Sequence, residues 1–301
     1  MVSAHVTSRV VVVGDIAVDV VARYAGQLQF GSDTAARIAV SGGGSAANVA
    51  AWLASTGGVA AVFVGRVGAD AAGRSAVDGL RALGVDVRVR VDDQLATGCV
   101  VVLVDDAGER TMLPDRGASA ALAETDLPED VFAGARHLHL SGYPLLHAGS
   151  RAAGLSALAI AVDNGLTVSV DPSSAAPLAA VGGAHFLEWT DGADLCIANL
   201  DEAVVLAGAG PPEELARRLA ASAYREVVIK LGAAGALWSD GATVVSVDAE
   251  QAVVADTTGA GDAFAAGFLA RWVAGAPPKE ALSAGARLAA RAVATSGARP
   301  V

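Results

Sequence analysis

Short runs of β-branched and aliphatic residues recur along this chain, separated by stretches rich in alanine and leucine. The runs cover residues 10–13, 59–64, 138–140, 166–170, 195–197 and 227–231. They are apolar throughout rather than alternating, which suits strands covered on both faces. Residues 46–54, 73–83, 151–164 and 213–222 lie between them and have the length and composition of helices. A strand–helix alternation of this kind predicts an α/β fold, a doubly wound and mostly parallel sheet flanked by helices. The chain's 301 residues, 53% of them hydrophobic, suffice for one such unit with its own core.

Two segments break the rhythm. Residues 98–104 and 109–113 flank Asp105-Asp106-Ala107-Gly108, two strands around a turn whose acidic and glycine residues sit where turns need them. Residues 16–23 and 37–40 alternate apolar and polar side chains, the pattern of strands with one wet face. Together they predict a small β-sheet lid formed by 16–40 and 96–113, on a large domain made of 1–15, 41–95 and 114–301.

Charge and cysteine usage narrow the setting. The net charge is −11 with no basic stripe, which argues against nucleic acid as a partner. The uncharged stretch 41–65 contains Gly42-Gly43-Gly44, Asn48 and Ser55-Thr56-Gly57-Gly58, so it reads as loop, helix, turn and strand rather than a membrane span. The apolar run at 10–13 is too short for the core of a signal peptide. Cys99 and Cys196 have no companion at ligand spacing and read as core thiols in a reducing, cytoplasmic compartment.

The most informative stretch is Asp256-Thr257-Thr258-Gly259-Ala260-Gly261-Asp262-Ala263-Phe264, a glycine-rich turn opening onto a helix. Successive N–H groups of Gly259, Ala260 and Gly261 would point at one anion, helped by the helix dipole. Asp262 is the odd member. A carboxylate there repels a phosphate unless it has work to do, such as accepting the proton of an attacking hydroxyl; alternatively it caps the helix. Spacing alone leaves both roles open. No G-x-x-x-x-G-K-[ST] occurs, so phosphate binding falls to backbone and magnesium rather than a Walker lysine. No G-x-G-x-x-G follows the first strand, which disfavours a nicotinamide oxidoreductase.

At this point the sequence resembles the ribokinase-like (PfkB) family of carbohydrate kinases. The resemblance rests on Gly43-Gly44-Ser45-Ala46-Ala47-Asn48 as G-G-x-x-x-N, Asn199-Leu200-Asp201-Glu202 as N-x-x-E, Leu231-Gly232-Ala233-Ala234-Gly235 as the strand-end nucleotide loop, and residues 256–262 as D-T-x-G-A-G-D. The motifs come in the family's order across the whole chain. One departure, an extra residue at Gly57-Gly58, alters a turn and no reactive group. The resemblance implies a ribokinase-like fold and ATP-dependent transfer of the γ-phosphate to a hydroxymethyl group of a small sugar. Asp262 would be the base and Gly259, Ala260 and Gly261 the anion hole. Asn199, Gly232, Gly235 and Thr258 would bind the nucleotide, and Asn199 and Glu202 would hold Mg²⁺ through waters. Taken alone, Glu202 reads as a helix-start carboxylate. The resemblance further implies a monovalent cation, K⁺, at Asp256 and Thr258 with residues 294–298, and a homodimer formed through the lid.

For the acceptor, Asp19 matches the family's sugar-binding Asp, while Ala17 stands where ribokinases commonly have Asn. Asp15, Gly43, Gly44 and Asn48 would border the same site, and Arg116 would contact a polar or anionic substituent or else lie on the surface. Asp171-Pro172-Ser173-Ser174-Ala175 resembles a pseudouridine-kinase segment, which keeps a nucleoside acceptor open beside a sugar; 4% aromatic residues favours the sugar. A catalytically idle sugar-binding scaffold is the alternative from another class. His137 and His139 read as residues of a half-exposed strand face rather than metal ligands. Lys230, just before Leu231-Gly232, either reaches a nucleotide phosphate or is a solvated strand end, and stays outside the catalytic set.

Overall fold

The computed structural model describes residues 8–300. Its strands are β1 (Ser8–Val13), β2 (Ala17–Tyr24), β3 (Ala36–Gly43), β4 (Val59–Gly68), β5 (Asp86–Asp92), β6 (Gly98–Val104), β7 (Arg110–Asp115), β8 (His137–Ser141), β9 (Thr167–Asp171), β10 (Leu195–Asn199), β11 (Glu226–Lys230), β12 (Ala236–Ser239) and β13 (Val244–Val247). Nine form one sheet in the order β13-β12-β11-β10-β9-β8-β1-β4-β5. Pairing is parallel from β11 through to β5. The antiparallel pair β12–β13 closes one edge around an Asp240-Gly241 turn, an addition to the parallel pattern that local turn chemistry explains.

Burial on both faces follows from the valine runs. In β1, Val10 and Val12 enter the core under the helices Ser45–Ser55, Ala260–Trp272 and Pro278–Val293. Val11 and Val13 enter the opposite core with Leu158 and Ala161 of the helix Arg151–Asp163. Each strand side chain therefore has a helical layer to meet, and all the reactive strand ends emerge at one sheet rim, where doubly wound sheets bind ligands.

His137 and His139 are not on a half-exposed face: they are 0% and 1% exposed. Strand β8 lies between β1 and β9, so both faces are covered. Thr167 and Ser169 hydroxyls meet three of the four ring nitrogens at 2.8 Å. Burial pushes their pKa values down to about 3 and about 4 and keeps them neutral.

A second sheet, β3-β2-β6-β7, stands apart. β6 and β7 form the antiparallel hairpin around residues 105–108, and β2 joins β6 in parallel. One face carries Val21, Val102 and Val104 as a small core. The other leaves Ile38, Val40 and Leu113 exposed. β3 and β7 run to Gly43 and Asp115, a few residues beyond the segments expected from alternation, and so deliver Gly43 and Arg116 to the rim of the large sheet.

Candidate active site

Asp262 sits in the first turn of the helix Ala260–Trp272, behind Gly259. Gly259 has φ 73° and a Cβ there would lie 2.5 Å from the carbonyl oxygen of Ala298, so the tight turn admits no side chain. The helix Ser45–Ser55 approaches from the other side. Ser45 Oγ donates to Asp262 Oδ1 at 2.8 Å and Asn48 Nδ2 donates to Oδ2 at 2.9 Å. These residues are three apart on one helix face, and they hold the carboxylate in a fixed plane. Burial outweighs both hydrogen bonds and raises the Asp262 pKa to about 7. Asp262 is thus more than a helix cap: its own carboxylate is gripped by side chains of a distant helix and is poised to exchange a proton near neutrality.

Asp19, Gly43, Gly44 and Asn48 come together beside it. The Asp19 side chain accepts no hydrogen bond from the described residues, and burial raises its pKa to about 6 against the lowering effect of Arg299. Its space depends on Gly43, where a Cβ would fall 2.1 Å from Asp19 Oδ1. Gly44 caps the helix that carries Ser45 and Asn48. Arg299 went unrecognised in the sequence: its Nε donates to Asn48 Oδ1 at 3.1 Å and its Nη2 to the carbonyl of Gly43 at 2.7 Å. Burial lowers its pKa to about 10. No local signal marks Arg299; only tertiary contact brings it to Asn48. Ser45 also went unrecognised, since it occupies one of the variable positions inside G-G-x-x-x-N, and only its place at that helix start could have drawn notice.

Asp15 is occupied differently from the expectation that it faces an acceptor. It accepts from the N–H groups of Ser45 and Ala46, from Ser141 Oγ and from Arg116 Nη1 at 3.1–3.4 Å, and so anchors a helix start. Arg116 is not a free surface arginine: it lies 3.5 Å over the Tyr143 ring. Ser173, the one non-glycine residue with positive φ (72°) among the described residues, accepts from the Gly142 N–H at 2.9 Å. It holds the β8 and β9 ends together.

A cavity of about 590 Å³ opens on the other side of Asp262, with Asn199, Gly232, Gly235, Thr257, Gly261 and Phe264 in its wall. Thr257 lines it; Thr258, expected there, turns instead to Asp256. Lys230 is not a solvated strand end, and the other reading, a lysine beside the nucleotide turn, stands. Its Nζ is 2.7 Å from Asp171 Oδ2 and 3.5 Å from where a Cβ on Gly261 would lie. Burial opposes its charge, but Asp171 and Glu202 outweigh burial and hold the ammonium protonated.

Asn199 and Glu202 form a reciprocal capping box, with three hydrogen bonds of 2.8 Å, so the helix-start role of Glu202 is real. Burial, with Asp171 nearby, pushes its pKa well up. Among the described residues no three acidic, histidine or cysteine side chains converge to hold a metal directly. Both Glu202 oxygens are taken up by Asn199, and of the expected Mg²⁺ pair only Asn199 lines the cavity, so these residues fit an ion that keeps its waters and not one held directly. The atoms of Asp256 and Thr258 expected at a monovalent cation are engaged by Arg23 and Arg110.

Residues 7–301 match the description pfkB family carbohydrate kinase. The chain belongs to that family. Among its relatives are a fructokinase of Salmonella typhimurium, 34% identical over 79% of this chain and 79% of that one, and an ATP-dependent ribose-1-phosphate kinase of Halopiger xanaduensis, 34% identical over 86% and 82%. In three dimensions this pfkB protein is similar to an adenosine kinase of Sinorhizobium meliloti, at TM-score 0.89 and 27% identity over 98% and 96% of the two chains. It is also similar to a Salmonella enterica aminoimidazole riboside kinase solved with that riboside and an ATP analogue, at TM-score 0.78 and 26% identity over 97% and 95%. The family is one of phosphotransferases, and no helix among the described residues is long and apolar enough to cross a membrane.

Proposed function

We propose that this pfkB kinase transfers the γ-phosphate of ATP to a hydroxymethyl group of a small sugar. The observation that carries the reading is Asp262: a carboxylate with its pKa near 7, held by Ser45 and Asn48 between the open Asp19 carboxylate and a nucleotide-sized cavity. The acceptor O–H gives its proton to Asp262 as its oxygen bonds to phosphorus, and the bond from phosphorus to the leaving ADP oxygen breaks. Charge developing on the transferred group meets the N–H groups of Gly259, Ala260 and Gly261. Lys230 adds a fixed positive charge beside that turn. Asn199, Gly232 and Gly235 border the nucleotide, and Mg²⁺, held through its waters by Asn199 and Glu202, would supply neutralising charge to the phosphate oxygens.

Asp19, Gly43 and Asn48 take the acceptor hydroxyls, a carboxylate being able to accept from two vicinal donors. The Tyr143 ring, close to Asp15 and Asp262, is already covered by Arg116, which favours a sugar over a stacked base. The small sheet serves as a lid that excludes water, and its exposed Ile38, Val40 and Leu113 support a homodimer through that face.

ADP release from ATP–Mg²⁺ across pentoses, hexoses, sugar acids, sugar phosphates and nucleosides, run beside Asp262→Asn, tests the reading. Acceptor-dependent turnover with a free sugar that collapses in the variant is the expected result. Turnover with nucleosides alone overturns the acceptor class, and nucleotide binding without any turnover supports an idle scaffold.

A further inference from the structure

The face of the small sheet that carries Asp19 has a second functional end. Strand register places Arg23 beside Val104 and Val104 beside Arg110, so the two arginines flank one row across β2, β6 and β7. Asp19 lies four residues before Arg23 on the same face, about 13 Å away along the strand, with Val21 between them. A row of apolar side chains thus joins an acceptor carboxylate to a pair of guanidiniums.

Both guanidiniums reach Asp256 in the large domain. Arg110 Nη2 donates to Oδ1 at 2.9 Å and Arg23 Nη2 to Oδ2 at 3.1 Å, while Arg110 Nη1 donates to Thr258 Oγ1 at 2.9 Å. Asp256 in turn accepts from the N–H and hydroxyl of Thr258, at 2.9 and 2.6 Å, and from the Gly297 N–H at 3.4 Å. Its side chain is 4% exposed and that of Arg110 18%. Thr258 is the last residue before Gly259. Two of the three residues that lead into the anion-binding turn, Asp256 and Thr258, are therefore pinned from the small sheet.

We propose that Arg110 and Arg23 are positioning residues for phosphoryl transfer: from the far end of the small sheet they seat two guanidiniums on Asp256 and set the turn that presents the Gly259, Ala260 and Gly261 N–H groups. This rests on the kinase reading above. A buried carboxylate needs a compensating positive charge, and here the protein supplies it, so the reaction needs no K⁺ at Asp256.

The experiment compares wild type, Arg110→Met and Arg110→Lys in K⁺, Na⁺ and tetramethylammonium, with and without millimolar guanidinium, alongside hydrogen exchange of the 257–262 amides in the nucleotide-free proteins. Wild type should turn over equally in all three salts. Arg110→Met should lose about 10- to 100-fold in kcat, the cost of misplacing a reacting group by an ångström, with nucleotide Kd little changed and partial recovery on adding guanidinium. Arg110→Lys, which retains the charge and protects against a folding defect, should fall between. The turn amides should exchange faster in Arg110→Met. Unchanged exchange overturns the proposal whether or not turnover is seen, as does a kcat within twofold of wild type. Wild type with no turnover on any acceptor, yet faster exchange in the variant, defeats the kinase reading and leaves the latch standing.

Discussion

Asp262→Asn keeps the shape of the base and removes its charge. The carboxamide oxygen can still accept from Asn48, whose orientation is fixed by Arg299, and the new amide can donate to Ser45, whose hydroxyl is free to turn. The fold should survive while the proton acceptor is lost, so kcat should drop by roughly 10²–10⁴-fold. Stability should move the other way. Burial raises the Asp262 pKa from 3.8 to about 7, so the folded state holds a proton that the unfolded chain releases near pH 4. A raised pKa contributes stability in full below the unfolded value, and this is lost as pH climbs through the folded one. The wild type therefore weakens between about pH 4 and 7 by on the order of 4 kcal/mol from this group. The variant escapes that loss. Urea unfolding at pH 8 should show it more stable by a few kcal/mol, with the gap narrowing at pH 5. In the wild type kcat/KM should rise with pH and level off above about 7. A variant no more stable at pH 8 than wild type, or one with kcat within tenfold, would refute the assignment of Asp262 as a buried, proton-accepting base.

Gly43→Ala puts a methyl group into the Asp19 carboxylate; acceptor KM should rise at least about tenfold with nucleotide Kd unchanged, read by initial rates and nucleotide titration. Lys230→Met strips the cation from Asp171 and Glu202 beside the anion turn; kcat/KM for ATP should fall roughly 10²-fold, and an unchanged value removes Lys230 from the site. Arg66 joins Asp92 and Asp126 at 2.6 and 2.8 Å. Arg66→Ala leaves both carboxylates with backbone N–H partners only and should lower the urea unfolding midpoint, an unchanged midpoint counting against a supporting role.

Much of this was legible from residue order. The turn at 256–262, the hairpin around 105–108 and the valine runs are local patterns, each carried by a few neighbouring residues whose conformations are set by sterics, turn chemistry and side-chain period. Motif order across the chain was readable for the same reason. Misreadings arose where a side chain's neighbours lie elsewhere in the sequence. His137 and His139 alternate like residues of a half-wet strand, yet β8 is central. Lys230 ends a strand, yet Asp171 waits at the end of another. Asp15 stands beside the acceptor motif, yet four donors from three other segments claim it.

The sequence by itself determined the class of fold and the glycine-rich turn that leads to Asp262, because these are written in contiguous residues with few conformations open to them. Only the tertiary structure decided which groups press on them. Ser45 and Asn48 meet Asp262 across 217 and 214 positions, Arg23 meets Asp256 across 233, and Arg299 meets Asn48 across 251. Sheet order and strand register create those meetings, and a residue's type does not disclose which distant carboxylate it will face. The proton affinity of Asp262 has the same origin, since burial raises it and burial is a property of the assembled fold.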